Sequence, residues 1–146
     1  MIYLRRTHHD NLAWRRIPKF APKGLLCDGK IYDAPIPKPW GYEMQTFRNE
    51  ACSVWRLEID GGASTSLHCH TTKTCVLLVE RGRIQLSTLD GEYLLRIGES
   101  ALIEAGVFHR SSSVLGATVI ETEWPPNRND LVRLDDQYGR VGKGYP

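Results

Sequence analysis

The chain lacks any long hydrophobic run. No stretch approaches the roughly eighteen consecutive apolar residues that a membrane-spanning helix needs. The first six residues, MIYLRR, also lack the apolar core of a signal peptide. We therefore expect a cytoplasmic protein without a membrane partner.

An excess of charge of either sign is missing as well. The 146 residues carry a net charge of +2, and the 19 basic side chains are scattered along the sequence. This pattern does not favour nucleic acid as a partner. A composition of 41% hydrophobic and 25% charged residues is ordinary for one globular domain.

Closely spaced cysteine pairs are also absent. The four cysteines are Cys27, Cys52, Cys69 and Cys75, and no two of them form a Cys-x-x-Cys motif. A chain of this size without a secretion signal needs no disulfide framework. We therefore interpret all four as thiols.

From about residue 51 onward, the sequence contains short apolar stretches separated by turn residues. Trp55, Leu57 and Ile59 alternate with charged residues, as on one face of a strand, and Asp90-Gly91 predicts a tight hairpin. We predict strands over residues 55–59, 75–79, 84–88, 93–97, 101–103, 112–114 and 117–121. Such a series is typical of an all-β sandwich or barrel, which we place at residues 41–126.

Residues 1–40 are predicted to form an arm rather than part of the barrel. The prolines that interrupt it are Pro18, Pro22, Pro35, Pro37 and Pro39. Residues 2–4 can form a short strand, and Trp14 and Trp40 need burial. We expect the arm to lie along the barrel or to cross to a partner subunit, and its unpaired edge is a reason to expect a homodimer.

Residues 127–146 are predicted to form a C-terminal segment that packs on the barrel. The sequence favours a short helix there, with Asn129 as its N-cap and Gly139 just past its end. Leu131, Val132 and Leu134 would pack on the outside of the barrel.

Three histidines are the candidate metal ligands. His68 and His70 are two residues apart, so in a strand both side chains point the same way while Cys69 faces away. A closed sheet can bring His109 to the same interior point. Three neutral imidazoles suit one divalent transition metal such as Zn, Fe, Ni or Mn, and the alternative is that these are strand or turn histidines without a metal.

The glycines around the first two histidines resemble the first motif of the cupin superfamily. That motif has a glycine, a His-x-His, a glutamate and a second glycine. Gly62, His68, His70 and Gly82 fall in register with it, and Cys75 stands where the motif has its glutamate.

The region around His109 resembles the second cupin motif. Gly98, Gly106 and His109 match it, while Glu104 replaces its proline and Ser113 its asparagine. The pair of motifs implies a single-domain cupin, which is a double-stranded β-helix or jelly-roll barrel.

Two flanking blocks narrow the resemblance. Residues 38–43, KPWGYE, and residues 130–140, DLVRLDDQYGR, are similar to blocks at the two ends of the cupin domain of type II mannose-6-phosphate isomerases. In that family a Gln-x-His and a later glutamate are expected at the metal, so His68 stands at the glutamine and Cys75 at the glutamate. The resemblance implies an anionic carbohydrate ligand, either a sugar phosphate or a nucleotide sugar, and isomerase or epimerase chemistry.

In such an enzyme the metal would polarise a carbonyl while a nearby carboxylate moved a proton. Glu104 lies closest in sequence to the histidines and is the candidate base. Lys73 and Arg110 flank the histidines and are candidates for holding a phosphate. For all three residues the alternative is a solvated position on the surface.

Cys75 leaves several interpretations open. A thiolate ligand would favour Zn and close the site, whereas a free cysteine is often a small buried apolar residue. The pattern also resembles thiol dioxygenases, which use three histidines and Fe(II), and Tyr138 would then be tested as a partner of Cys75. A third possibility is a non-catalytic module that binds a carbohydrate or uses the metal only to brace the fold.

Overall fold

The computed structural model describes residues 1–17 and 34–143. In these residues the chain forms one helix and twelve strands. They are, in order, β1 (Ile2–Leu4), α1 (His8–Arg16), β2 (Ile36–Lys38), β3 (Gly41–Arg48), β4 (Ser53–Ile59), β5 (Ala63–Ser64), β6 (Leu67–His70), β7 (Thr74–Thr88), β8 (Glu92–Arg96), β9 (Ser100–Ile103), β10 (His109–Ser113), β11 (Ala117–Trp124) and β12 (Leu131–Asp135). The predicted all-β architecture is confirmed.

Strand β7 connects the two halves of the curled sheet. Its first part pairs with β11 and β9, and its second part pairs with β8 and β10. One half contains β2, β3, β4 and β11, and the other contains β10, β6 and β12. The sequence predicted two separate strands here, at residues 75–79 and 84–88, whereas the chain runs through both as one strand.

Gly82 lies where β7 passes from one half to the other. Its φ of +74° is in the left-handed region that favours glycine, and a Cβ at this position would lie 2.5 Å from the carbonyl oxygen of Gly116. The glycine of the first motif therefore serves the geometry of the barrel and not the site directly.

The main hydrophobic core lies between the two halves of the sheet. Leu57 and Val79 enter it from one half, and Ile84, Leu86 and Leu95 enter it from the other. Burying side chains of this size stabilises the fold by about 1.5–3 kcal/mol each. The alternation of Trp55, Leu57 and Ile59 predicted this inward face.

The N-terminal segment packs against the barrel. The predicted strand at residues 2–4 is confirmed as β1, which pairs in parallel with β9. Helix α1 was not predicted; it begins with a reciprocal capping box between Thr7 and Asp10. Trp14 packs against Phe108 on the outer face of the second half-sheet, and Trp40 is buried in the main core.

The predicted helix in residues 129–139 is wrong. Residues Leu131–Asp135 form β12, which pairs antiparallel with β6, so that Val132 lies opposite Cys69. Without β12 the outer edge of β6 would be an open row of backbone donors and acceptors. The hydrogen bonds gained by pairing with β6 outweigh the helix-capping preference of Asn129 and Gly139. The C-terminal segment is therefore part of the sheet.

Some predictions concern residues that the structure does not cover. Pro18, Pro22 and Cys27 lie outside the described residues. Cys52, Cys69 and Cys75 are free thiols, as predicted. In residues 1–17 and 34–143 there is no helix with the length and hydrophobicity to span a bilayer. The homodimer and the cytoplasmic location stay predictions.

Candidate metal centre

The three histidines meet inside the barrel, as their spacing predicts. His68 and His70 lie on β6, and His109 begins β10 directly opposite His68 in the ladder. Their ring centroids are separated by 4.6 Å (His68 to His109), 5.1 Å (His68 to His70) and 5.8 Å (His70 to His109). One potential ligand atom of each ring lies within 4.8 Å of the others. Cys69 faces the opposite side, where it is fully buried in the second core.

A hydrogen bond at Nδ1 orients each ring. Nδ1 of His68 lies 2.8 Å from the carbonyl oxygen of Ser66, and Nδ1 of His109 lies 3.0 Å from that of Val107. Nδ1 of His70 lies 3.2 Å from a carboxylate oxygen of Asp130. Because a carbonyl oxygen only accepts, the Nδ1 atoms of His68 and His109 carry the proton, and their Nε2 atoms keep a lone pair.

Burial keeps the three rings neutral. It lowers the pKa of His68 and His70 well below the ordinary value, with neighbouring His109 and Lys73 adding to the effect. For His109, burial lowers the pKa to about 4. Neutral imidazole is the form that binds metal. The donor set, its tautomers and its spacing therefore fit a divalent metal ion held by His68, His70 and His109.

The histidines line a cavity with a volume of about 80 Å³. Two carboxylates of β11, Glu121 and Glu123, and the ammonium group of Lys73 line the same cavity. Glu123 is almost fully buried, pairs with Lys73, and accepts hydrogen bonds from the Ser53 hydroxyl at 2.5 Å and the Trp55 indole at 3.1 Å. Its role in this network is structural.

The environment of Glu121 shifts its pKa. Burial, opposed by Lys73 and reinforced by the charges of Glu123 and Glu43, raises the pKa of Glu121 to about 7. Burial alone would lower the pKa of Lys73, but the carboxylates of Glu123, Glu121 and Asp130 raise it. At neutral pH Glu121 therefore exchanges between acid and carboxylate while Lys73 stays charged.

Further basic side chains line the cavity. They are Lys38, Arg128, Arg133 and Arg140. Lys38 lies 3.4 Å from Glu43, which also pairs with Arg128. Burial lowers the pKa of Lys38 to about 8 against the attraction of Glu43. Arg140 is held by Asp136 at 2.7 Å.

Known proteins that are similar to this chain identify the type of barrel. No protein-family model matches the chain. The chain is similar to the xanthan biosynthesis protein XanB of Xanthomonas campestris pv. campestris (strain B100), with 28% identity over 110 residues. That similarity covers 73% of this chain and 24% of XanB, so the chain spans about a quarter of the length of that relative.

Solved structures share the architecture at low sequence identity. KdgF from Halomonas sp. matches with a TM-score of 0.60 and 13% identity, over 64% of this chain and 89% of that chain. An RmlC-like cupin from Shewanella frigidimarina NCIMB 400 matches with a TM-score of 0.57 and 20% identity, over 60% of this chain and 78% of that chain. The chain has the cupin fold. Its jelly-roll barrel is the one that the two histidine motifs predicted.

Within the cupin barrel, Glu104 and Arg110 lie away from the cavity. Glu104 is in the turn after β9, where its half-exposed carboxylate faces Arg5 at 3.8 Å. Arg110 pairs with Asp135 at 2.6 Å. Neighbouring residues of a strand face opposite sides, so Arg110 points out because His109 points in. Lys73 does line the cavity, but its ammonium group is engaged by Glu123.

Cys75 is not in the group of potential ligand atoms that the three histidines form. Its side chain is buried in the main core and hydrogen-bonded to Glu121. Burial and this carboxylate raise the pKa of the Cys75 thiol well above its ordinary value, which disfavours a thiolate.

Two other residues named from the sequence are Tyr138 and Ser113. Tyr138 packs against the core beside Arg140. The Ser113 hydroxyl donates to the carbonyl oxygen of Arg83.

Two carboxylates of the cupin cavity, which were not predicted, could have been found from the alternation of residues along β11. Ala117 and Val119 of β11 are buried, so the period of two places Glu121 and Glu123 on the same inward face. Arg133 was not recognisable in this way, because its place beside His68 depends on the pairing of β12 with β6.

Proposed function

We propose that this cupin binds one divalent transition metal at His68, His70 and His109 and acts on an anionic carbohydrate. The proposed substrate is a sugar phosphate or nucleotide sugar, and the proposed reaction is an isomerisation or epimerisation. The observation that carries the proposal is the position of the Glu121 carboxyl group in the same cavity as the three imidazoles. Burial raises the pKa of this group to about 7, as a group that moves protons at neutral pH requires.

The charges around the cavity support an anionic ligand. Five basic side chains line it, namely Lys38, Lys73, Arg128, Arg133 and Arg140, against the three carboxylates Glu43, Glu121 and Glu123. Arginine and lysine in a partly desolvated site pair well with phosphate oxygens. The similarity to a xanthan biosynthesis protein supports the same class of ligand.

The small volume of the cavity indicates that only part of the ligand enters it. At about 80 Å³ it is smaller than the roughly 300–1,000 Å³ of typical small-molecule pockets. We propose that it encloses the reacting end of the sugar, while the rest of the ligand extends toward the basic side chains.

When bound, a divalent metal would supply a Lewis acid that polarises a carbonyl oxygen. In the isomerisation, the Glu121 carboxylate takes a proton from the carbon beside that carbonyl and, as the acid, returns it on the same face to the former carbonyl carbon, while the proton of the neighbouring hydroxyl passes to the carbonyl oxygen. In an epimerisation, a second acid on the opposite face of the sugar would return the proton. Lys73 stays charged beside Glu121 and favours its carboxylate form. Glu123 holds Lys73 in place.

The metal is tested by elemental analysis of protein purified without an affinity tag, after growth with Zn, Fe, Ni and Mn. We expect about one ion per chain in the parent and its loss in His70→Ala, because two imidazoles hold an ion weakly. His9→Ala removes a histidine whose side chain is 62% exposed and is the matched control. Undiminished metal in His70→Ala would contradict the site.

The reaction is tested by deuterium incorporation from D2O into aldose phosphates, ketose phosphates and nucleotide sugars. We expect exchange at the carbon beside the carbonyl, and a loss of about 100-fold or more in Glu121→Gln. Because the carboxylate form acts as the base, the exchange rate should rise with pH and level off above about 7. A metal-loaded protein that exchanges no proton would contradict the isomerase, and oxygen consumption with thiols would instead identify a three-histidine Fe(II) dioxygenase.

A further inference from the structure

Asp130 is a buried carboxylate that directly contacts one of the three histidines. It lies just before β12, has 0% exposure, and one of its oxygens lies 3.2 Å from Nδ1 of His70. These residues are 60 positions apart in the sequence. The contact therefore depends on the fold and not on local chain geometry.

The second oxygen of Asp130 is fixed by the turn between β6 and β7. It accepts hydrogen bonds from the backbone N–H of Thr72 and of Lys73, both at 3.1 Å, and from the Thr72 hydroxyl at 3.0 Å. Three donors on one oxygen hold the carboxylate in a single orientation. The other oxygen is thereby aimed at the imidazole of His70.

The three histidines differ in what supports them. His68 and His109 donate to backbone carbonyls two residues earlier in their own segments, whereas His70 faces a carboxylate from another element. A carboxylate at Nδ1 makes the opposite nitrogen a stronger metal donor than a carbonyl does. It also fixes the tautomer in which Nε2 is unprotonated.

We propose that Asp130 is a positioning residue for the metal centre, orienting His70 and strengthening its Nε2 as a ligand. This proposal rests on the proposed metal site and deepens it. The backbone adds to the effect, since Leu131 pairs with His70 in the ladder between β12 and β6. One short segment thus holds both the main chain and the ring of this histidine.

The test compares Asp130→Asn with Thr72→Val by titrating the metal-free proteins with Zn²⁺ in competition with a chelator, and with Co²⁺ followed by its visible spectrum. Asp130→Asn should weaken binding by about 10–100-fold and alter the Co²⁺ spectrum. Thr72→Val removes one hydrogen bond to the same carboxylate but leaves its charge, so it should lower stability without changing affinity by more than about twofold. Equal affinities of Asp130→Asn and the parent would overturn the proposal, as would equal weakening in both variants.

A measurement on the unsubstituted protein keeps the proposal testable if Asp130→Asn does not fold. Nitrogen-15 NMR of the metal-free protein should show His70 protonated at Nδ1, with a proton that exchanges slowly. A His70 ring protonated at Nε2, or averaging between tautomers, would overturn the proposal. If the parent binds no metal, the proposed function itself fails, and if the parent binds metal but Asp130→Asn binds as tightly, only the role of Asp130 fails.

Discussion

Two segments carry the three histidines, and opposite ends of the chain support them. His68 and His70 lie within β6, a strand with partners on both sides, β10 and β12. His109 is the first residue of β10 and follows a turn at residues 104–108. Strand β10 is also paired, with β7 and β6, but the turn that leads into His109 is held by individual hydrogen bonds.

The turn before His109 depends on the N-terminal segment. The buried carboxylate of Asp10 accepts from the backbone N–H of Phe108 at 2.9 Å, and the Trp14 indole donates to the carbonyl oxygen of Gly106 at 3.2 Å. The N–H of Gly106 then donates to the carbonyl oxygen of His70 at 2.7 Å. Helix α1 therefore supports the turn before His109 from outside the barrel, and the Gly106 N–H joins this turn to β6.

This difference predicts where substitutions disturb the candidate metal centre most. A ladder of backbone hydrogen bonds survives the loss of any one side chain, whereas the turn before His109 loses one of its two side-chain contacts when Asp10 or Trp14 is replaced. Single substitutions in α1 should thus affect His109 more than comparable substitutions around β6. The region of the two cupin motifs contains the three histidines, whereas α1 and β12, which contact their segments, lie outside it.

The largest effect is expected from Asp10→Ala. Leaving the buried N–H of Phe108 without its acceptor costs about 1–3 kcal/mol. Losing the reciprocal cap of α1 adds about 1 kcal/mol. We expect a fall of this combined size in the free energy of unfolding, measured in urea, and weaker Zn²⁺ binding by the folded protein because His109 is less well fixed.

The matched control for Asp10→Ala is His9→Ala, one position earlier in the same helix. The His9 side chain is 62% exposed and pairs with Asp90 at 2.5 Å. A surface pair of this kind contributes about 0–1 kcal/mol. Equal Zn²⁺ affinities of the two variants would refute the dependence of His109 on α1.

The sequence was sufficient to predict the histidine cluster, because the period of two and the motif glycines determine which way each side chain points. It was not sufficient for β12. Residues 131–135 satisfy helical and strand patterns alike, and only the open edge of β6 decides between them. Helix α1 was readable from Thr7 and Asp10, whose spacing is that of a capping box.

The candidate base shows a second limit of sequence reasoning. Glu104 was selected because it is close to His109 along the chain, but sequence distance does not measure distance across a barrel. Glu121 is further along the chain and still reaches the cavity, since β11 lies beside β7 in the sheet. The alternation of side chains along β11 is a better guide to which carboxylates line the cavity.

An intermediate effect is expected from Cys75→Ala, which changes a residue in neither histidine segment. Because the thiol lies in the main core, the substitution should cost about 1 kcal/mol of stability and leave the metal content at one ion per chain. Elemental analysis beside thermal unfolding separates these two quantities. Loss of Zn²⁺ in Cys75→Ala would instead restore a closed site with a thiolate ligand.

The smallest effect is expected from Glu104→Gln, in the turn that carries His109. The Glu104 carboxylate is 3.8 Å from Arg5 and 41% exposed, so removing its charge should change the free energy of unfolding by less than about 0.5 kcal/mol. The backbone N–H of Glu104, which donates to Leu4, is unaffected by the substitution. Proton exchange into the substrate should also be unchanged, in contrast to Glu121→Gln. If Glu104→Gln lost proton exchange but still bound metal, Glu104 and not Glu121 would be the base. The turn would then have to move toward the cavity when substrate binds.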